Sequence, residues 1–301
     1  MKKYIKYYYN IDIDNINKVK NDYYFNYNQE LYILKKIDNE ININKIIELN
    51  NKLDNTLFSK IILTKDKILT IYIDNYDYIL YKIFVNLNKT ITLSEINSIN
   101  NINLHTKDNE LNWYNLWTNK IDNLEYQINQ NGKKHPLLVD SFSYFIGLSE
   151  NAISYLNNTL FETKKEISDI NVLSHFRIKD IFSLYDISNI VSDHKARDLG
   201  EYIKLSFFNK NKNIFKELDE YFKHNYYSEY GIRILFARIL FPSFYFDIYD
   251  EITIDKTDEL KLLNITQNLN EYEIFLNDIY NYLSKFYKIP SVDWLKKRTN
   301  L

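Results

Sequence analysis

In the first third of the chain, apolar residues come in short blocks separated by polar turns. Ile5–Tyr9, Tyr23–Asn26, Glu30–Ile37, Leu57–Leu63, Ile68–Asp74 and Tyr78–Phe84 are brief and rich in Ile and Tyr, and clusters such as Lys65-Asp66-Lys67 and Asn75-Tyr76-Asp77 bound them. Blocks of that kind predict β-strands, and the close spacing of the last three predicts antiparallel hairpins. Between the third and fourth blocks, Ile43, Ile46, Ile47, Asn50 and Leu53 fall near one face of a 3.6-residue period. A single helix is therefore expected to interrupt the sheet.

From about residue 94 the period changes to that of helices. Trp113, Leu116, Trp117, Ile121, Leu124 and Ile128 form one amphipathic stripe that stops near Gly132 and Pro136. Phe142–Leu156, Ile214–Phe222, Ile232–Leu240 and Tyr272–Phe286 read as further helices, the last two closed off by Pro242 and Pro290. One strand pair is expected in this half: Phe182–Tyr185 and Ile190–Ser192, joined as a tight hairpin by Asp186-Ile187-Ser188-Asn189. No internal repeat or Ser/Gly/Pro-rich linker marks a boundary, so the division falls where mixed character gives way to helical. This gives a β-rich lobe with one helix over residues 1–90 and a helical lobe over 91–301.

Composition narrows the functions open to such a chain. Its 301 residues, 45% hydrophobic and 26% charged, suit a globular protein with a sizeable core. It has no Cys, which removes disulfides, thiolate nucleophiles and Cys-ligated zinc. The charge is balanced, 38 Lys+Arg against 40 Asp+Glu, which argues against a protein built to neutralise nucleic-acid phosphates. The surplus of Tyr (28) alongside few Gly (4) and Pro (3) matches the codon bias of an A- and T-rich genome and is no sign of a stacking ligand. The N-terminal Met1-Lys2-Lys3 lacks a following apolar stretch, and the most apolar run, Ile232–Phe246, is broken by Arg233, Arg238 and Pro242. A cytoplasmic address with no membrane partner is expected. The five His show no paired metal-ligand spacing, and no Gly-x-Ser-x-Gly elbow is present. The Asp12-Ile13-Asp14 and Asp247–Glu251 clusters and the Lys296-Lys297-Arg298 tail read as solvated charge, and Arg238 as an anchor for a buried carboxylate such as Asp198 or Glu201.

A small antiparallel lobe with one helix, followed by a helical lobe carrying a lone hairpin, is the layout of kinase-like folds. With that order, the strings WYNLWTNKIDNLEYQI (113–128), FIGLSENAISY (145–155), LSHFR (173–177), IVSDHKARDLGEYIK (190–204) and RILFPSFYF (238–246) make the chain resemble the aminoglycoside/choline phosphotransferase branch. More narrowly, it resembles the degenerate kinase-like proteins of bacterial spore coats. The resemblance spans most of the chain and implies the α+β, two-lobed protein-kinase-like fold.

The resemblance also implies a site. Lys35, on an otherwise apolar strand face with Leu31, Ile33 and Ile37, would reach nucleotide phosphates and pair with Glu48, or second with Glu40, on the lone helix. Asp193, at the end of the hairpin, would hold Mg²⁺. The family's His-x-Asp catalytic loop appears here as His175-Phe176-Arg177, with Phe182 where an Asn would help hold metal. A guanidinium cannot act as a base. Asp180 could replace it only in a shifted register, and His175 reads chiefly as a backbone anchor. All four glycines (Gly132, Gly147, Gly200, Gly231) lie outside the first lobe, so the turn at Asn15–Asp22 lacks the glycines of a phosphate-cradling loop. Two functions are expected in consequence. One is a catalytically degenerate, pseudokinase-type binding or scaffold component, related to the spore coat, whose partner is a protein or small molecule and which either binds ATP and Mg²⁺ or has lost that binding. The other is an active ATP-dependent phosphotransferase acting on a small hydroxylated substrate.

Overall fold

A computed structural model of the chain describes residues 1–19, 21–37, 43–53, 58–102, 112–254 and 257–296. In chain order its elements are α1 (Lys2–Tyr9), β1 (Asn17–Val19), β2 (Asp22–Tyr27), β3 (Glu30–Lys36), α2 (Ile43–Lys52), β4 (Lys60–Ile62), β5 (Thr70–Ile73), β6 (Tyr76–Ile83), α3 (Leu93–Asn100), α4 (Trp113–Asn131) and α5 (Pro136–Glu162). There follow β7 (Asn171–His175), α6 (Ile181–Tyr185), β8 (Ile190–His194), α7 (Ala196–Phe208), α8 (Ile214–His224), α9 (Glu229–Leu240), α10 (Ser243–Thr253), α11 (Leu263–Thr266), α12 (Leu269–Ser284) and α13 (Asp293–Lys296). The chain forms two compact units, Met1–Ile91 with His175–Ile190, and Thr92–Ser174 with Val191–Leu301. A division at residue 90 does not anticipate that the segment after β7 rejoins the first unit.

In the first unit the strands run in the order β1-β2-β3-β6-β4, with β5 also paired to β6, and every pairing is antiparallel. Both faces of the central strands are covered, because alternation along β3 buries Tyr32 and Leu34 on one side and Ile33 on the other. The first face packs with Phe25, Ile71, Ile73 and Leu80 and is covered by Ile5 and Tyr9 of α1. The Ile5–Tyr9 block is thus a helix and not the expected strand. Its two inward residues are four apart, one helical turn, while Tyr4 and Tyr7 face solvent, and Asn10 ends the helix in the left-handed region at φ 56°.

The second unit is helical apart from the two-stranded β7–β8 sheet. The stripe on α4 is buried at Trp113, Trp117, Ile121 and Leu124, and Trp117 stacks on Phe241 with centroids 4.4 Å apart. The expected hairpin is corrected. Phe182–Tyr185 lies in helix α6, and the partner of β8 is β7, a strand the apolar pattern misses because its ends are polar. The local cause is Asp180, whose carboxylate accepts from the Ser183 amide in a capping box. Asp186 then turns the chain by accepting from the Ser188 amide. No described helix is long and apolar enough to cross a membrane.

Candidate functional site

In the first unit the focus is Lys35, carried outward along β3. Its ammonium forms an ion pair with Asp186, lies 3.0 Å from Ser188 Oγ and sits 5.7 Å from the centroid of the Phe182 ring. The lysine side chain is 25% exposed and the aspartate 2%, so the pair is mostly withdrawn from water. The other Asp186 oxygen accepts from the Ser188 amide at 2.9 Å and from its hydroxyl at 2.7 Å. Next to this, the Ile187 amide donates to Ser59 Oγ, and the Ser59 amide donates to the Tyr185 carbonyl. Lys35 therefore ties the central strand to the segment that follows the His175-Phe176-Arg177 string. Glu48 is exposed and pairs with Lys52, one turn along α2, at 2.5 Å. Glu40 lies outside the described residues, as does His105.

The loop residues themselves are engaged in structure. His175 is fully buried, and its Nε2 donates to the Leu184 carbonyl at 2.9 Å. The amide of Arg177 donates to Asn189 Oδ1, and Asn189 Nδ2 donates back to the carbonyls of Arg177 and Ser183. Asp180 is exposed at the start of α6, with Oδ1 accepting from the Ser183 amide at 2.7 Å. Burial, with the charges of Asp22, Asp180 and Asp186 adding to it, pushes the Tyr24 phenol up to about 12, so Tyr24 stays a neutral hydroxyl. At the place of a phosphate loop, Val19 pairs with Asp22 and only two residues intervene.

In the second unit the focus is Asp193 on β8, 1% exposed. Its Oδ2 accepts from Trp113 Nε1 at 2.7 Å and Arg197 Nη1 at 2.6 Å, and its Oδ1 accepts from the His194 amide at 2.8 Å. The indole is held in turn by Arg238, whose guanidinium lies 4.8 Å from the Trp113 ring centroid. Arg238 is bound to Glu201 at 3.0 Å, and Glu201 is also bound by Lys204 at 2.9 Å. Of the two carboxylates named for Arg238, Glu201 is bound to it. Asp198 accepts from Asn100 Nδ2 at 2.9 Å. Trp113 is legible in the sequence as a buried stripe residue, and a buried indole N–H requires an acceptor, which is the one signal that could have led to its bond with Asp193.

His194, next along β8, is used entirely in packing. Its Nδ1 accepts from the Ala196 amide at 3.0 Å and its Nε2 donates to Asp169 at 3.2 Å. Burial alone would raise the Asp169 carboxyl, but hydrogen bonds from His194, the Glu166 amide and Ser228 outweigh it and hold the group below the usual carboxylate range. A lowered native pKa means stability that is present above the unfolded value of about 4 and is lost as pH falls through the native one. Ser228→Ala should therefore shift acid unfolding to higher pH, read by circular dichroism across pH 2–6. Gly231 closes the same corner. A Cβ there would lie 2.8 Å from Asp169 Oδ1 and 3.3 Å from His194 Cε1. Gly231→Ala is expected to cost about 1–3 kcal/mol in urea unfolding, the usual cost of overpacking. Among the described residues no group of three or more His, Asp or Glu side chains is arranged to hold a metal ion.

Comparison with known proteins places this arrangement. The endospore coat-associated protein YutH of Bacillus subtilis (strain 168) is 31% identical over 208 residues, 62% of this chain. The match spans 61% of the length of that protein. An aminoglycoside phosphotransferase from Alicyclobacillus acidocaldarius superposes with a TM-score of 0.58 at 12% identity, over 95% of this chain and 97% of that one. Spectinomycin phosphotransferase APH(9)-Ia, solved in complex with ADP and spectinomycin, superposes with a TM-score of 0.55 at 15% identity, over 91% and 92% of the two chains. At these identities the superpositions establish the fold, which is kinase-like. The family described as "Spore coat putative kinase YutH" matches residues 2–279, and the chain belongs to that spore-coat kinase-like family.

Proposed function

We propose that this chain is a kinase-like protein that has lost phosphotransfer and acts by binding, as a coat-associated component whose partner is a protein or a small molecule. The observation that carries this reading is the state of Asp193. Mg²⁺ needs a carboxylate oxygen free to enter its octahedral shell. Here Trp113 and Arg197 both donate to Oδ2 and the His194 amide donates to Oδ1, and the Arg197 guanidinium, 2.6 Å from Oδ2, would repel a second cation at that oxygen. Three features support the same reading: Arg177 in the position of the base, a first lobe without glycines, and Lys35 paired with Asp186.

A competing reading is an active phosphotransferase that uses ATP and Mg²⁺ on a small hydroxylated acceptor. It is favoured by the exposed Asp180 carboxylate and by relatives of the same fold solved with ADP. The Mg²⁺ dependence of nucleotide binding separates the two. In thermal or urea unfolding, ATP with Mg²⁺ is expected to stabilise the protein no more than ATP with EDTA. A Mg²⁺-dependent gain of about 2.7 kcal/mol, the effect of a ligand at a hundred times its Kd, that disappears in Asp193→Asn would overturn the proposal.

A further inference from the structure

Within the second unit a half-open cavity of about 530 Å³ is lined by residues of α3 and α8. Those from α8 and its start are Asn213, Lys216, Glu217, Glu220 and His224, which recur at intervals of three and four, so one face of the helix opens onto the cavity. Asn97 lines it from α3, and Leu93 and Tyr221, both buried, add apolar surface among these polar groups. Charge around the cavity is balanced. The carboxylates of Glu217 and Glu220 are matched by Lys216 and by Lys223, whose ammonium lies 2.6 Å from Glu220 Oε1. With no excess of either sign to attract an anion or a cation, the lining suits a neutral ligand. Hydrogen-bonding capacity remains open on both helices. Among the described residues, the side chains of Asn97, Asn213, Lys216 and His224 have no hydrogen-bond partner. Glu217 is fixed by the Tyr202 hydroxyl at 2.6 Å and by Asn211 Nδ2 at 3.1 Å, and a carboxylate so held keeps lone pairs for further donors. The amides both donate and accept, the ammonium only donates and the carboxylates only accept. A hydroxyl answers each of them, whereas a phosphate, an ammonium or a hydrocarbon leaves part of the set unmatched.

We propose that this cavity binds a neutral, hydroxyl-rich ligand of disaccharide size, with hydroxyls on Asn97, Lys216 and Glu217 and a C–H face of the sugar on Leu93 and Tyr221. The volume lies within the range of small-molecule sites. Neither Lys35, Asp180 nor Asp193 lines the cavity, so the proposal does not depend on whether the chain transfers phosphate.

The test is saturation-transfer NMR of the full chain with maltose, cellobiose and diacetylchitobiose, and with the blocked dipeptide N-acetyl-alanyl-alanine amide, which is neutral but carries methyl groups in place of hydroxyls. At least one disaccharide should show saturable binding, about tenfold tighter than the dipeptide, the size of one or two hydrogen bonds. The double variant Asn97→Ala, Lys216→Met should weaken that disaccharide by about tenfold or more. Asn213 is exposed and its side chain makes no cap bond on α8, so Asn213→Trp can fill the cavity without removing a structural contact and should abolish binding. Near-ultraviolet circular dichroism verifies that each variant is folded. The proposal is overturned if no disaccharide binds, if the dipeptide binds as tightly, or if either folded variant binds as wild type does.

Discussion

Replacing Glu201 with leucine should lower stability by about 3–5 kcal/mol, the cost of removing one partner from a buried ionic group. Glu201 is the carboxylate that joins two buried cations, with Lys204 3% and Arg238 4% exposed at their side chains. Ser243 adds a hydrogen bond at 3.1 Å, and Lys204 also donates to the Phe241 carbonyl. With the carboxylate gone, two positive charges face each other in a medium that screens them poorly. The loss should reach beyond the cluster, because Arg238 is the platform on which the Trp113 indole lies. The near-ultraviolet tryptophan signal should therefore change together with the urea midpoint. In the triple variant Glu201→Leu, Lys204→Met, Arg238→Met, much of the lost stability should return, since replacing a whole buried ionic group by apolar side chains is often neutral.

The second large effect is expected at Lys35. If this lysine served only to hold nucleotide phosphates, Lys35→Met would leave folding nearly unchanged. In the structure it neutralises Asp186, which is 2% exposed and fixes the turn before β8. Lys35→Met should therefore destabilise the protein by about 2–4 kcal/mol in urea unfolding, the range for stranding a buried charge, reduced because the lysine is 25% exposed. Lys35→Met with Asp186→Leu should be more stable than Lys35→Met alone, although Ser188 then loses its acceptor. A Lys35→Met variant as stable as wild type would show that the pair contributes nothing.

Much of the fold is legible in the sequence because its periodicities are long. The stripe from Trp113 to Ile128 and the run from Tyr272 to Phe286 each repeat over several turns, and α4 and α12 occupy those positions. Short blocks carry less information. Ile5–Tyr9 has too few residues to separate a strand from two helical turns, and Phe182–Tyr185 looks extended until Asp180 and Ser183 are recognised as a cap. The candidate site is harder to read, because its chemistry is decided by partners distant in sequence. Lys35 stands out as a charge on an apolar strand, but its carboxylate is 151 residues away, in a segment whose apolar spacing suggests a hairpin. Asp193 stands out from the order of elements, yet the indole that occupies it comes from 80 residues earlier. Pattern along the chain shows which side chains are buried, while the hydrogen-bond partner of a buried group is fixed by tertiary packing.

With the carboxylate on β8 bonded to Trp113 and Arg197, we expect no transfer of phosphate. Phosphorus NMR of ATP incubated with stoichiometric protein and Mg²⁺, with and without small hydroxylated acceptors, reads this outcome. The γ-phosphate should be lost no faster than in protein-free buffer. Transfer or release well above that rate, abolished by Asp193→Asn, would contradict it.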